Sequence, residues 1–465
     1  MSRHPRRTLY ILLDSGTGIR NVLRTDIFAR LKQDPRLQIV IFSPVCDAEF
    51  RSEFSGERIH IEPQIIGTTN PQQKILRTFR RDLWATLSGG TTYLNKRARK
   101  PLFRFRVALM RGVAKLFFSG ESQKLLQWLT QTETDLAPNP TIPILDQLPP
   151  DLIFCITLYA SHPGLELVAA KRGIPILTLV HSWDNLTTKG PFLFEPDRFI
   201  VWNRVLQKEL QRLHTIAEDR VVISGIPQTD IYWQRDQFRS RKKFFADLGL
   251  DRKKSLIAYT TGPPGLVSME PAVVELVYQA LSQGGHGMSW QLLVRLHPKD
   301  NLARFAALQG KPGLIFQKPG RMGAINDGWN PTPDDMFLLA ETLCYSDVVI
   351  NIASTTTIDA VAFDTPVINI AFDGKTNLPM AQSCRRFYQF DHYRPIVESG
   401  GVALVKDSQE LITALAAYLK KPHLDQKGRE KIRQEQYAMP DGKAGKRIAE
   451  HILAQLFSSK KNTKK

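Results

Sequence analysis

The chain has 465 residues, too many for one ordinary core, so two domains are expected. A hydrophobic share of 42% and a charged share of 23% place it among soluble globular proteins and exclude fibrous and low-complexity classes. The formal charge of +18 calls for an anionic partner: nucleic acid, a phosphorylated substrate or an acidic membrane surface.

Cys46, Cys155, Cys344 and Cys384 are far apart and form no CxxC pair. Neither a zinc site nor a disulfide frame follows, and reduced thiols in a cytosolic protein are expected. The apolar run Leu9 to Leu13 stops at Asp14, too short for a signal peptide. No run approaches the roughly 18 apolar residues of a spanning helix.

Thr8 to Leu13 reads as a first strand, followed at once by Asp-Ser-Gly-Thr-Gly-Ile-Arg-Asn and a helix through about Leu31. Gly16 and Gly18 suit either a plain tight turn or close approach of backbone to a ligand. Asn21 stands where a dinucleotide fingerprint needs its third glycine, and the strand Gln38 to Phe42 ends in Ser43, not an acid. An NAD site is therefore not expected, and Arg20 and Asn21 are the side chains of interest.

Residues 74 to 115 carry twelve Lys or Arg against one acid, Asp82. Leu76, Phe79, Leu83, Trp84 and Leu87 fall at helical spacing. Such a basic amphipathic insert, about 74–130, fits a segment lying on anionic lipid or a helix docked on its own domain. Nucleic acid is disfavoured, because no aromatic-and-glycine RNA motif accompanies the charge.

From Pro149 strands and helices alternate: Asp151 to Thr157, Gly164 to Lys171, Ile174 to Val180, Arg198 to Trp202, Val205 to Leu213, Arg220 to Ser224. This spacing predicts βαβ units and a parallel sheet. The loop His181 to Gly190 leaves the carboxyl end of a strand. His181 there suits a hydrogen-bonded structural role, whereas Asp184 is either a helix cap or a general base.

Arg235 to Lys254 reads as a connection plus a short helix. A second series starts with Ser255 to Tyr259 and the turn Thr260-Thr261-Gly262-Pro263. The strand Gln291 to Leu296 ends in Arg295-Leu-His297-Pro298, where His297 either meets a diphosphate or bonds to backbone. Pro331-Thr-Pro-Asp-Asp begins a helix with Met336, Leu339, Ala340 and Leu343 inward. Then comes the strand Val348 to Ile350, a crowd of hydroxyls at Ser354, Thr355, Thr356 and Thr357, and the strand Val367 to Ile370. Thr356 and Asp359 have capping-box spacing. Free N–H groups, hydroxyls and a positive helix end at the carboxyl edge of such a sheet would bind phosphate. Asp359 then either caps its helix or meets a ribose. An amphipathic helix from Asp441 through Phe457 and a basic tail, 458–465, finish the chain.

The stretch Ser354 to Ala360 followed by Thr365-Pro366-Val367-Ile368 resembles the E-A-x-x-x-G-x-P region of GT-B glycosyltransferases. In those enzymes the acid holds the ribose hydroxyls; here Asp359 replaces Glu and Asp364 the glycine. The chain is also similar to CDP-glycerol glycerophosphotransferases. Their R-P-H-P looks like Arg295 to Pro298, and their S-D…S-S-x-x-x-D looks like Ser346-Asp347 with Ser354 to Asp359. Their W-H-G-T-P-L-K loop looks like Trp183 to Lys189, with Asp184 at the place of the basic His.

The resemblance implies an α/β chain of two Rossmann-like parallel-sheet domains facing a cleft, with a C-terminal helix closing back. The expected boundaries are 1–234 for the acceptor domain, 235–440 for the nucleotide-donor domain and 441–457 for the helix. It implies transfer of a sugar or polyol phosphate from a nucleotide-activated donor to an acceptor hydroxyl on a glycan or lipid-linked molecule. Arg295, His297, Gly262, Ser354, Thr355, Thr356 and Asp359 would hold the donor, and Asp184 would take the proton. Gly16, Gly18, Arg20, Asn21 and His181 would shape the acceptor side. No cofactor and no metal are expected. The base, acceptor and oligomeric state stay open. The enzyme is expected in the cytoplasm, peripheral at the inner membrane face. A nucleotide-sugar 2-epimerase of the same fold and a non-enzymatic polyanion- or membrane-binding protein are the alternatives.

Overall fold

Runs of β-branched and aliphatic residues too short for helices become strands, and each such run noted above lies in one of two parallel sheets. The computed structural model describes residues 6–89, 92–93, 105, 108, 112, 119–137, 141–156, 164–283, 289–322 and 329–458. The first sheet holds β1 (Arg7–Leu12), β2 (Leu37–Ser43), β3 (Ile59–Pro63), β4 (Leu152–Cys155), β5 (Ile176–Leu179), β6 (Arg198–Val201) and β7 (Val221–Ile223). Their spatial order is β3-β2-β1-β4-β5-β6-β7, all parallel.

The second sheet holds β8 (Ser255–Thr260), β9 (Trp290–Arg295) and β10 (Leu314–Gln317). After two short strands, β11 (Arg321–Met322) and β12 (Trp329–Asn330), come β13 (Val348–Asn351), β14 (Val367–Ile370) and β15 (Ala403–Val405). The order in this sheet is β10-β9-β8-β13-β14-β15, again parallel. Two Rossmann-like units result. One comprises residues 1–230, 323–330 and 438–465, the other 231–322 and 331–437.

Alternation along β1 sends side chains to two covered faces. Leu9 and Ile11 pack with Ile27 and with Ile448 and Ile452 of the Ala444–Phe457 helix. Tyr10 and Leu12 pack with Leu165 and Val168. Burying each such aliphatic side chain is worth roughly 1.5–3 kcal/mol. In the second unit Ile257, Leu292 and Ile350 meet Val273 and Val277 on one face, with Leu256 and Leu293 against Phe244 and Phe245 on the other.

The last helix belongs to the first unit. Its opening amides, Ala444 N and Gly445 N, donate to the two carboxylate oxygens of Asp230 at 3.0 and 2.7 Å. A Cβ on Gly445 would stand 2.9 Å from that of Asp26, so only glycine allows this approach. Helical backbone begins at Ala444, three residues after the expected Asp441.

The first helix of the basic insert docks on its own domain. Its Pro71–Ser88 helix starts with a capping box between Asn70 and Gln73 and lies against the Ser119–Asp135 helix. Leu83 and Trp84 are buried, and the Trp84 indole donates to Leu213 O at 2.7 Å. Arg77 and Arg80 both pair with the buried carboxylate of Glu133 at 2.7 Å. Much of the apolar face is thus consumed by the domain itself, while Ile75 (58% exposed) and Trp128 (59% exposed) face solvent. Most of residues 90–118, and the tail from 459, lie outside the described residues. Among the described residues no helix is long and apolar enough to cross a membrane. The four cysteines are free thiols.

Candidate functional site

In both sheets the chain order reverses at one place: between β1 and β4 in the first, between β8 and β13 in the second. Open α/β sheets present ligand-binding groups at the carboxyl ends of the strands flanking such a switch point. The residues predicted from sequence fall at these two edges.

At the edge of the first sheet the glycine turn is a packing device. A Cβ on Gly16 would lie 1.9 Å from Trp329 O, and one on Gly18 would lie 2.3 Å from Ile156 Cδ1. The expected helix through Leu31 is broken: Gly16–Gly18 makes one turn, Ile19–Leu23 is a π-helix, and Asp26–Leu31 restarts with Thr25 as N-cap. The Thr25 hydroxyl donates toward Asn21 O and Val22 O, competing with a continuous helix. The π-turn lifts Arg20 and Asn21 together. Arg20 Nε donates to Asn21 Oδ1 at 2.9 Å, and buried Asn21 donates to His181 O at 3.3 Å. Arg20 also lies over the Trp329 ring at 5.9 Å.

His181 Nδ1 is 2.8 Å from Ile156 O, so a neutral ring carries its proton there and keeps Nε2 as an acceptor. Asp184 accepts from the Ser182 hydroxyl at 2.6 Å and from Thr188 Oγ1 at 3.1 Å. It stands at the N-cap of the Asn185–Thr188 turn without a side-chain cap bond. Glu166, which the sequence did not single out, is buried at the start of the Leu165–Lys171 helix. Burial, with a smaller push from Asp14, raises its pKa to about 7.

Across the second sheet one register row reads Gln317, Arg295, Thr260, Asn351, Asn369 and Leu404. Five of these six residues are polar, and the first four are the last residues of their strands. Arg295 is buried: it bonds to Gln317 and donates to Asp335 O at 3.3 Å, bracing strand ends. Gly262 is likewise engaged, its amide donating to both oxygens of buried Glu270 at 2.9 Å. Burial raises the Glu270 carboxyl well above the usual carboxylate range. His297 N donates to Thr261 Oγ1 at 2.7 Å, and its Nδ1 accepts Lys299 N at 3.1 Å. The neutral ring therefore holds its proton on Nε2, a donor of the kind a phosphate accepts.

The hydroxyl loop after β13 departs from its expected form. The Thr356–Val361 helix has Thr355 at its N-cap with no side-chain cap bond, so Thr356 and Asp359 make no capping box. Instead Ser354 Oγ accepts Thr356 N at 3.3 Å. The amides here are not free: Ser354 N donates to Asn351 Oδ1 at 3.2 Å, and Thr357 N to Ser354 O at 3.1 Å. Ala353 N donates to the Tyr388 hydroxyl at 3.2 Å. Ala353 itself has φ +42°, a left-handed backbone that costs an L-residue roughly 1–2 kcal/mol. The chemistry on offer is hence hydroxyl donation from Ser354, Thr355 and Thr356, with Thr355 exposed. Asp359 is half-buried, and its charge helps raise the Tyr437 phenol.

Sequence reasoning missed the layer beneath this loop. Tyr393 OH donates to Asn369 Oδ1 at 2.9 Å and stands 2.8 Å from Thr357 Oγ1. Asn369 Nδ2 donates to Asn351 Oδ1 at 3.1 Å. Among the described residues the Asn351 amide nitrogen is buried without a partner. Asp364, where the resemblance expects glycine, takes φ +60° and pairs with Arg429 at 2.7 Å. Among the described residues no group of three or more His, Cys, Asp or Glu could hold a metal ion.

Solved structures share this architecture at low identity. The S. aureus MnaA–UDP co-structure has a TM-score of 0.55 at 12% identity, covering 98% of this chain and 98% of that one. UDP-GlcNAc 2-epimerase from Neisseria meningitidis bound to UDP-GlcNAc has a TM-score of 0.52 at 11% identity, covering 96% and 99%. A glycosyltransferase from Rickettsia africae has 0.52 at 12%, covering 99% and 100%. These likenesses show the fold, which is GT-B. No curated protein matches the chain. The family model of the CDP-glycerol:poly(glycerophosphate) glycerophosphotransferases matches residues 193–454, more than half of the sequence, including both the His297 turn and the hydroxyl loop. The chain belongs to that family.

Proposed function

We propose that the protein transfers a polyol phosphate, or a sugar, from a nucleotide-activated donor to an acceptor hydroxyl in the synthesis of surface or lipid-linked glycan. The observation that carries this reading is the family match over residues 193–454, which takes in the whole polar edge of the second sheet. Ser354, Thr355, Thr356 and the Nε2 proton of His297 donate to the diphosphate, and Asp359 meets the ribose. Donors aimed at the bridging and terminal oxygens stabilise charge growing on the leaving nucleotide. Protein groups do this work without a metal ion, so activity should survive EDTA.

On the acceptor side Asp184 takes the hydroxyl proton in the first reading. His181 is the second reading for that role, favoured by its Nδ1 bond to Ile156 O, which leaves Nε2 to accept. Ile75 and Trp128 on the insert, beside its basic residues, support peripheral contact with anionic lipid at the inner membrane face.

The test is a melting-temperature panel with UDP, CDP, GDP and ADP. A ligand bound only by the folded state adds about 2.7 kcal/mol at a hundred times its Kd, a rise of several degrees. One clear stabiliser, CDP by family, is expected. Stabilisation by heparin and by none of the nucleotides would instead identify a polyanion-binding protein.

A further inference from the structure

The left-handed turn at Ala353 lies one residue before the hydroxyls proposed to grip the diphosphate, and it is not made of glycine. Backbone held in an uncommon region persists only where its surroundings over-determine it, and such places gather at ligand clamps. Here the surroundings are two tyrosines from one later segment. The Tyr388 hydroxyl accepts Ala353 N at 3.2 Å and donates to Ile370 O at 2.7 Å, tying the turn to the end of β14. The Tyr393 hydroxyl, five residues on, reaches Asn369 Oδ1 and Thr357 Oγ1 at 2.9 and 2.8 Å. The rings meet edge-on with centroids 5.4 Å apart, so each fixes the other's tilt. Together they clamp the loop on both sides of Ser354, Thr355 and Thr356.

We propose that Tyr388 and Tyr393 are positioning residues that hold the strained turn at Ala353, and with it the hydroxyl loop, in the one geometry that accepts a nucleoside diphosphate. The inference rests on the donor-binding reading given above. Burial raises both phenols far above their usual range, so they remain protonated and the clamp keeps both its donors at any working pH. Neither ring needs to touch the nucleotide. Its effect passes through Ala353 N on one side and the Thr357 hydroxyl on the other.

The experiment measures CDP and UDP binding by calorimetry on the full chain, below the melting point of every variant. Tyr388→Phe and Tyr393→Phe, which remove only the hydroxyls, should each weaken the better nucleotide about tenfold. Tyr418→Phe is the control: its hydroxyl donates to Asp425 Oδ2 at 2.7 Å, away from the loop, and its loss should lower stability while leaving nucleotide affinity within twofold. Ala353→Gly added to Tyr388→Phe should recover affinity to within about threefold, because glycine takes φ +42° without help. Tyrosine variants that bind like wild type, or a double variant with no recovery, would overturn the clamp while leaving the donor reading intact. Wild-type protein that binds neither nucleotide would overturn both.

Discussion

The hydroxyl oxygens of Thr260 and Thr356 lie 2.7 Å apart, joining the end of β8 to the first helical turn after β13. Those strands flank the switch point of the second sheet, so this one bond fixes the spacing of the two loops between which a diphosphate would sit. Thr260→Val keeps the shape and removes the bond. It should cost about 1 kcal/mol of stability and weaken nucleotide binding roughly fivefold. Chemical denaturation and nucleotide titration check the two effects separately.

The proton acceptor is resolved by two substitutions. Asp184→Asn leaves the loop its Ser182 and Thr188 neighbours, and His181→Gln keeps a polar side chain beside Ile156 O. Whichever residue is the base, its loss should lower kcat by about 10²–10⁴ with little change in donor KM. The other substitution should lower it no more than tenfold. Steady-state kinetics with excess acceptor distinguish them.

Asp230 gives the fold a specific dependence on pH. Burial raises its pKa from 3.8 to about 6, against the opposing pull of the Ala444 and Gly445 amides and of Arg447, with Asp26 adding to the rise. The folded protein therefore holds this proton more tightly than the unfolded chain. The resulting stabilisation is complete below about pH 4 and is lost as pH rises through about 6, amounting to roughly 3 kcal/mol. Asp230→Asn retains an acceptor for the helix amides but cannot titrate. The difference between wild-type and variant unfolding free energies should vary by about that amount from pH 4 to 7 and be flat above pH 7.

Asp364 occupies a left-handed position yet is not replaceable by the glycine that its backbone would prefer. Its carboxylate pairs with Arg429, whose side chain is only 1% exposed. Asp364→Gly relieves about 1 kcal/mol of backbone strain and strands a buried guanidinium at a cost of about 3–5 kcal/mol. The variant should lose about 2–4 kcal/mol, measured by urea unfolding. Arg429→Met in the same background should restore part of it.

The interior strands were legible because they are continuous apolar runs. Strands β3 and β10, absent from the sequence reading, are outer strands of their sheets and only partly buried, so their runs are short and mixed. At the candidate site, the loop residues His297 and Ser354 to Asp359 stood out through composition. Their supports did not. Tyr393 is 36 residues from Thr357 and 24 from Asn369, and no local pattern announces a hydrogen bond made only when β14 lies beside β13. The same holds for Arg80 in the insert: a basic run shows charge, but that Arg80 would be spent on Glu133, 53 residues later, depends on how two helices meet.

Ile448, Ile452 and Leu456 share one core with Leu9, Ile11 and Ile27, although almost the whole chain separates them in sequence. Ribosomal synthesis delivers this wedge only after residues 231–437 have emerged, so the opening lobe waits with an oily flank uncovered while the second lobe already has all its parts. Deleting residues 444–457 would strip the lobe made first and spare the one made second.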